Sequence, residues 1–290
     1  MPKHDDQTQT RRAYLAGQWY PSDPWQCRTD ITTYAAGIAP VPGYRGLIGP
    51  HAGWAYSGRT AVRGYATLAA EPEAQEIELC VVFGSHRSED GPNTVFQGRA
   101  WNTPLGAIDN ASELAVPLAA LLGLEDEPVS PQRPDNAVEL HLPFVRHFFP
   151  HAKLLMVGVA AAPIASEVGE RTGELVRHSQ RRAVFIGSTD LTHYGPNYGY
   201  APHGSGQEAV AWVRDEHDRG FIAEVLKQDA TGILAHAEAY RSACCPGAVV
   251  ATLAALAAYG HGCKPRLVDQ SQSCDFHPSS SFVGYASIVL

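Results

Sequence analysis

Ile77-Glu78-Leu79-Cys80-Val81-Val82-Phe83-Gly84-Ser85-His86 carries the reading of the fold. Residues 79–83 form an unbroken apolar run that is too short for a helix. Gly84 bounds it, and such a run suits a strand buried on both faces. A strand of that kind needs helices above and below it. Two other stretches have the same form. Arg45-Gly46-Leu47-Ile48-Gly49 runs into Pro50-His51, and Arg182-Ala183-Val184-Phe185-Ile186 ends at Gly187-Ser188-Thr189-Asp190. Residues 153–159 add a further strand, and 267–272 and 281–290 read as the last two. Helical patterns lie between them over residues 60–70, 111–122, 163–178, 206–227, 231–239 and 248–259. Residues 135–149 read as helical with a break near Pro143, and 88–110 as an excursion of hairpin and loop. Apolar strands alternating with longer helices predict an α/β fold. The expectation is a single domain over residues 13–290, with a central, mostly parallel sheet flanked by helices on both faces. The polar residues 1–12 are expected to be frayed or disordered.

The composition narrows the function classes. The 290 residues carry 22 basic and 30 acidic side chains, a net charge of −8. That balance argues against nucleic acid as a partner, because phosphate binding draws on clustered Lys and Arg. With 44% hydrophobic residues a full core is available, so disorder is not expected. Residues 1–10 contain no apolar run of the secretory type, so a cytoplasmic location and reduced thiols are expected. The uncharged stretch 242–263 is long enough to span a bilayer. Pro246, Gly247, Gly260 and Gly262 interrupt it, so a buried helix is the better reading and no membrane partner is expected. The 13 His and 6 Cys are the distinctive feature, since these side chains bind transition metals and move protons near pH 7.

Three strands deliver a His at or just past their C-terminal ends: His51, His86 and His193. Open α/β sheets bind ligands outside the carboxyl ends of their strands. If these strands are parallel neighbours, the three imidazoles converge on one crevice; taken singly, each could be an ordinary loop His. The loop 49–58 supplies Trp54 and Tyr56 as pocket walls, or else as core packing. Asp190 and His193 lie three residues apart and would share one face of a helical turn, where the carboxylate could set the imidazole tautomer. Alternatively Ser188 or Asp190 simply caps the next helix. Cys244-Cys245 opens the Ala-rich helix, a place where a thiol's pKa is lowered. Glu139 and His141, two apart, need a kink to share a site, and Pro143 could provide one.

Ala16-Gly17-Gln18-Trp19-Tyr20-Pro21, Pro50-His51-Ala52-Gly53-Trp54-Ala55-Tyr56-Ser57-Gly58 and Gly84-Ser85-His86 form an ordered series. It continues with Val138-Glu139-Leu140-His141-Leu142-Pro143-Phe144, Ser188-Thr189-Asp190-Leu191-Thr192-His193-Tyr194-Gly195, Cys244, and the C-terminal segments 270–274 and 283–286. The series runs through nearly the whole chain and resembles the Memo family, related to the class III extradiol (LigB-type) dioxygenases. The resemblance implies a metal held by His51, His86 and Cys244. It places Trp19, Tyr56, Asp190 and His193 in the pocket, with His193 as the acid/base group and Glu139 and His141 in the surrounding shell. Trp54 joins the expected substrate-binding set.

The chain departs from the family pattern in several places. Asp135-Asn136-Ala137 stands where Glu-His-Ser is usual, Thr192 where a Cys is usual, Tyr194 where Trp is usual, and Arg87 where a His is usual. Cys245 stands where Gly is usual, which leaves Cys244 and Cys245 both open as the sulfur ligand. The expected function is a mononuclear non-haem oxidoreductase, an oxygenase using O₂ on a small organic substrate. Fe(II) is the first candidate, and a thiolate ligand brings Cu or Zn into competition. The alternatives are a non-catalytic metal- or peptide-binding protein, and a metal-free structural role for the Cys and His.

Overall fold

The computed structural model describes residues 10–38, 41–128, 134–262 and 264–290. Its strands in chain order are β1 Thr10–Arg11, β2 Gly46–Gly49, β3 Leu79–Arg87, β4 Thr94–Val95, β5 Ala100–Trp101 and β6 Ile108–Asp109. There follow β7 Glu125–Asp126, β8 Lys153–Ala160, β9 Ala183–Ser188, β10 His193–Tyr194, β11 Arg266–Gln272 and β12 Phe282–Val289. The helices are α1 Pro24–Ala35, α2 Trp54–Leu68, α3 Ser112–Leu122, α4 Asn136–Glu139 and α5 Leu142–Phe148. They continue with α6 Ile164–His178, α7 Gln207–Trp212, α8 Asp218–Lys227, α9 Ala230–Tyr240 and α10 Pro246–Tyr259.

The main sheet runs β10-β12-β2-β9-β3-β8-β4-β7, with β11 on β12. Its centre, β2-β9-β3-β8, is parallel, and β12 closes one flank antiparallel to β2. The central strands are apolar and buried along most of their length because helices cover both faces. Leu79, Val81 and Phe83 face the core beneath α6 and α10, while Cys80 and Val82 face the core beneath α2 and α5. The same alternation separates Phe185 from Val184 and Ile186. This is the expected single-domain α/β fold with both sheet faces covered.

Helices α6 and α10 approach backbone to backbone. A Cβ on Gly169 or Gly173 would fall 2.2 Å from the carbonyl oxygen of Ala251 or Ala255. The uncharged stretch 242–263 resolves into α10, whose residues are largely buried, and Cys263 lies outside the described residues. Among the described residues no helix is long and apolar enough to cross a membrane.

Two expectations change, and one helix appears that the sequence pattern does not mark. Of the residues expected to be frayed, 1–9 lie outside the described ones, and Thr10–Arg11 form β1 on Ala100–Trp101. Arg11 is buried there, with its guanidinium 3.8 Å over the Trp101 ring. The segment 206–227 is not one helix. A π-helical turn over Val213–His217 separates α7 from α8. Helix α1, which no strong apolar periodicity marks, buries only Cys27 and Ile31.

Candidate metal centre

The parallel order β2-β9-β3 sets the carboxyl ends of three strands side by side, so their terminal residues share one crevice. β2 delivers His51 two residues past Gly49. β3 continues beyond its expected end and carries His86 within it, after a register shift between Gly84 and Arg87. Ser85 there adopts a φ of +79°, a left-handed backbone uncommon for a residue with a side chain. The loop after α9 brings Cys244 to the same place. Donor atoms of His51, His86, Cys244 and Cys245 all lie within 4.8 Å of one another. Cys244 Sγ is 3.3 Å from His51 Nε2, and the two imidazoles meet edge to face at 4.9 Å between centroids.

The hydrogen bonds determine which nitrogen of each ring is free. The Ser188 hydroxyl donates to the Ala137 carbonyl, so its oxygen is left to accept. It accepts from His51 Nδ1–H at 2.7 Å and from His141 Nε2–H at 2.9 Å. The lone pair of His51 is thereby on Nε2, facing Cys244. The second nitrogen of His141 accepts from the Tyr65 hydroxyl at 2.9 Å. Burial, helped by the neighbouring His51, pushes the His141 pKa down to about 3, so its ring is neutral. His86 Nδ1 meets Asp135 Oδ1 at 3.2 Å, which turns its Nε2 toward Cys244.

Desolvation opposes charge on His86, but hydrogen bonds to Asp135 and Cys244 outweigh it and raise its pKa to about 10. Burial likewise pushes the Cys244 thiol up. The Cys245 hydrogen bond and the two imidazoles reverse this and hold it well below the ordinary thiol range. The backbone N–H of Asp190 also points at Cys244 Sγ, at 3.2 Å. The Cys245 thiol is pushed up by its hydrogen bond to Cys244 and by burial. Two imidazoles with their outer nitrogens held, beside a thiolate-prone sulfur, fit the donor set of a transition-metal site.

This crevice opens into a cavity of about 680 Å³ lined by Trp19, Tyr56, His193, Tyr198, His277 and Tyr285 together with His51, His86 and Asp190. Trp19 and Tyr56 line it as expected. Trp54, Glu139 and His141 do not, because all three are buried behind its wall. Trp54 stacks on Phe144 at 4.2 Å and donates its indole N–H to the Leu140 carbonyl. Glu139 accepts from the Leu15 backbone N–H at 2.7 Å and the Tyr20 hydroxyl at 3.0 Å. It thus anchors the turn that carries Trp19. The break between α4 and α5 falls at Leu140-His141, ahead of Pro143.

Asp190 and His193 do not share a helical turn. Residues 189–192 are irregular and lead straight into β10. Asp190 accepts from the His51 backbone N–H at 2.8 Å, and its other oxygen is 3.9 Å from His51 Nε2. His193 is oriented instead by the Leu191 carbonyl, 3.1 Å from Nδ1. Its Nε2 is left as a proton acceptor. Ser188 and Asp135, which the sequence does not mark as site residues, hold the two crevice-facing imidazoles. Asp135 caps α4 through the Ala137 N–H, and that cap was the only local signal available.

A family model described as Memo-like protein matches residues 11–289. A MEMO1 family protein of Methanopyrus kandleri is 30% identical over 96% of this chain and 98% of its own length. One of Methanosarcina acetivorans is 32% identical over 97% and 98%. Among solved structures, uncharacterized protein JW3007 from Escherichia coli K12 aligns with a TM-score of 0.49 at 13% identity, covering 84% of this chain and 98% of that one. The family match spans the crevice and both sheet flanks, and the chain belongs to the Memo-like family.

Proposed function

We propose that this chain is a mononuclear metal-dependent oxidoreductase that uses O₂ on a small organic substrate. His51, His86 and Cys244 would hold the metal, with Fe(II) the first candidate and Cu or Zn as competitors. The observation that carries the reading is the convergence of these three donors beside a cavity whose wall includes His51, His86 and the His193 imidazole. A bound redox metal supplies a Lewis acid and an electron-transfer partner for substrate and O₂.

The chain's own residues have separable tasks. Ser188 and Asp135 hold the Nδ1 atoms of His51 and His86, so both rings present Nε2 to the crevice. Trp19, Tyr56 and Tyr198 offer ring faces and edges to an apolar or aromatic substrate body. His193, with Nδ1–H donated to Leu191, takes a proton from a substrate O–H or S–H at Nε2.

A second reading is a metal-holding or peptide-binding protein without turnover, and the exposed rings of Trp19, Tyr56 and Tyr198 favour it. The test is anaerobic purification, metal analysis, and O₂ uptake with catechols, aminophenols and thiols. His193→Ala should retain the metal and lose ~10²–10⁴-fold in O₂ uptake. Uptake that survives this change would remove His193 from the reaction, and metal retained without uptake on any substrate would favour the second reading.

A further inference from the structure

The sulfur of Cys245 is the group near the centre that the reading above leaves without a task. Adjacent residues on extended backbone point to opposite sides. Here the chain bends at Cys245 (φ −134°, ψ 59°) as Pro246 begins α10, and both sulfurs fall in one cluster with the two imidazoles. Its backbone is fixed there by the N–H donated to Thr189 Oγ1 at 3.1 Å. Its thiol lies beside Cys244, to which it hydrogen-bonds, and makes a long contact, 3.5 Å, to the Ser85 carbonyl. That carbonyl belongs to the residue just before His86, so the sulfur already lies against the strand end that carries a proposed ligand.

We propose that Cys245 is a second sulfur donor, making this centre a two-His, two-Cys set in the absence of substrate. In a tetrahedral site with bonds of ~2.0–2.1 Å to nitrogen and ~2.3 Å to sulfur, neighbouring donors lie roughly 3.3–3.8 Å apart. Four donors already within 4.8 Å of one another close onto one ion by movements of about an ångström. On binding, the Cys245 thiol gives up its proton to solvent and its contact with Ser85. The Ser85 carbonyl is then the place to which the sulfur returns when another ligand takes its position. Two thiolates make the centre softer and shift its preference from Fe(II) toward Zn(II) and Cu(I). This inference rests on the metal-centre reading above and refines which ion the centre selects.

The test is X-ray absorption on the full chain loaded with one equivalent of Zn(II), counting sulfur neighbours near ~2.3 Å. Two sulfurs in the wild type, falling to one in Cys245→Ser, are expected. Zn(II) affinity against a competing chelator should fall at least about tenfold in Cys245→Ser and Cys245→Ala alike. Because the wild-type sulfur count needs no variant, a misfolded variant leaves the test decisive. One sulfur in the wild type overturns the inference while the three-donor centre stands. A wild-type chain that retains no Zn(II), Fe(II) or Cu(I) overturns both.

Discussion

Ser188 shows how much of a site can hang on one small hydroxyl. It donates to Ala137, and its lone pairs then receive two imidazole N–H groups, one of which sets the tautomer of His51. Ser188→Ala removes the acceptor and leaves the buried N–H of His141 unpaired, at a cost of about 1–3 kcal/mol in stability. The loss of orientation at His51 is expected to weaken Zn(II) binding ~10–100-fold in a chelator competition. Unchanged affinity would mean that the protein does not depend on this hydroxyl to present Nε2. The motif around Ser188 was legible in the chain, but its task was not. A Ser after a strand reads as a helix cap, and only the neighbouring strand and α4 supply the two rings and the carbonyl that define its bonds.

At the scale of elements, the π-helical turn Val213–His217 and the start of α8 place His217 and Asp218 beneath the loop that leads to His193. Both reach Thr192: His217 Nδ1 at 2.8 Å and Asp218 Oδ1 at 2.5 Å from its hydroxyl. Burial raises the Asp218 pKa from 3.8 to about 7. Burial and the neighbouring His236 lower that of His217 from 6.5 to about 4. Asp218 therefore contributes stability that is present at low pH and lost as pH rises from 3.8 toward 7. His217 contributes stability that is gained as pH rises from about 4 to 6.5. Within that window the unfolded pair carries its one proton on His217 and the folded pair carries it on Asp218, so the two slopes cancel. Asp218→Asn should uncover the His217 slope, with stability rising by about 1.4 kcal/mol per pH unit between pH 4.5 and 6 relative to the wild type. Denaturant unfolding at several pH values measures it, and parallel curves for the two proteins would refute the proton exchange. The sequence pattern merged this region into one helix, because a single extra residue in a turn leaves the apolar spacing almost unchanged.

Across the whole molecule, the three expected ligands come from the ends of β2 and β3 and from the loop before α10, parts of the chain that meet only when the sheet is formed. A metal that binds them binds the native state and not the unfolded one. It should stabilise the fold by about 4 kcal/mol at a free concentration 1,000 times Kd. For a chain of this size that is a rise in Tm on the order of 10 °C. Thermal unfolding with and without Zn(II) measures it, and His51→Ala should abolish the shift. An equal shift in that variant would locate the ion elsewhere.

By themselves the residues determined the fold class, because apolar runs such as 79–83 have no stable place except between two helical layers. They also marked His51, His86 and His193, since Gly, Pro and Ser follow buried strands only where the chain must turn at the sheet's edge, and the pair Cys244-Cys245 at a helix start. Tertiary structure alone decided how these groups pair. Asp190 turns to His51 instead of His193 because residues 189–192 do not form a helix, so the i, i+3 spacing has no geometric meaning there. Trp54, Glu139 and His141 belong to the wall and not the cavity because α2 turns Trp54 inward and the α4–α5 turn buries Glu139 and His141. Cys244 and Cys245 are indistinguishable as letters. The bend before α10 exposes one sulfur to His51 and holds the other under Ser85, a difference of side-chain direction that appears only when distant strands are assembled.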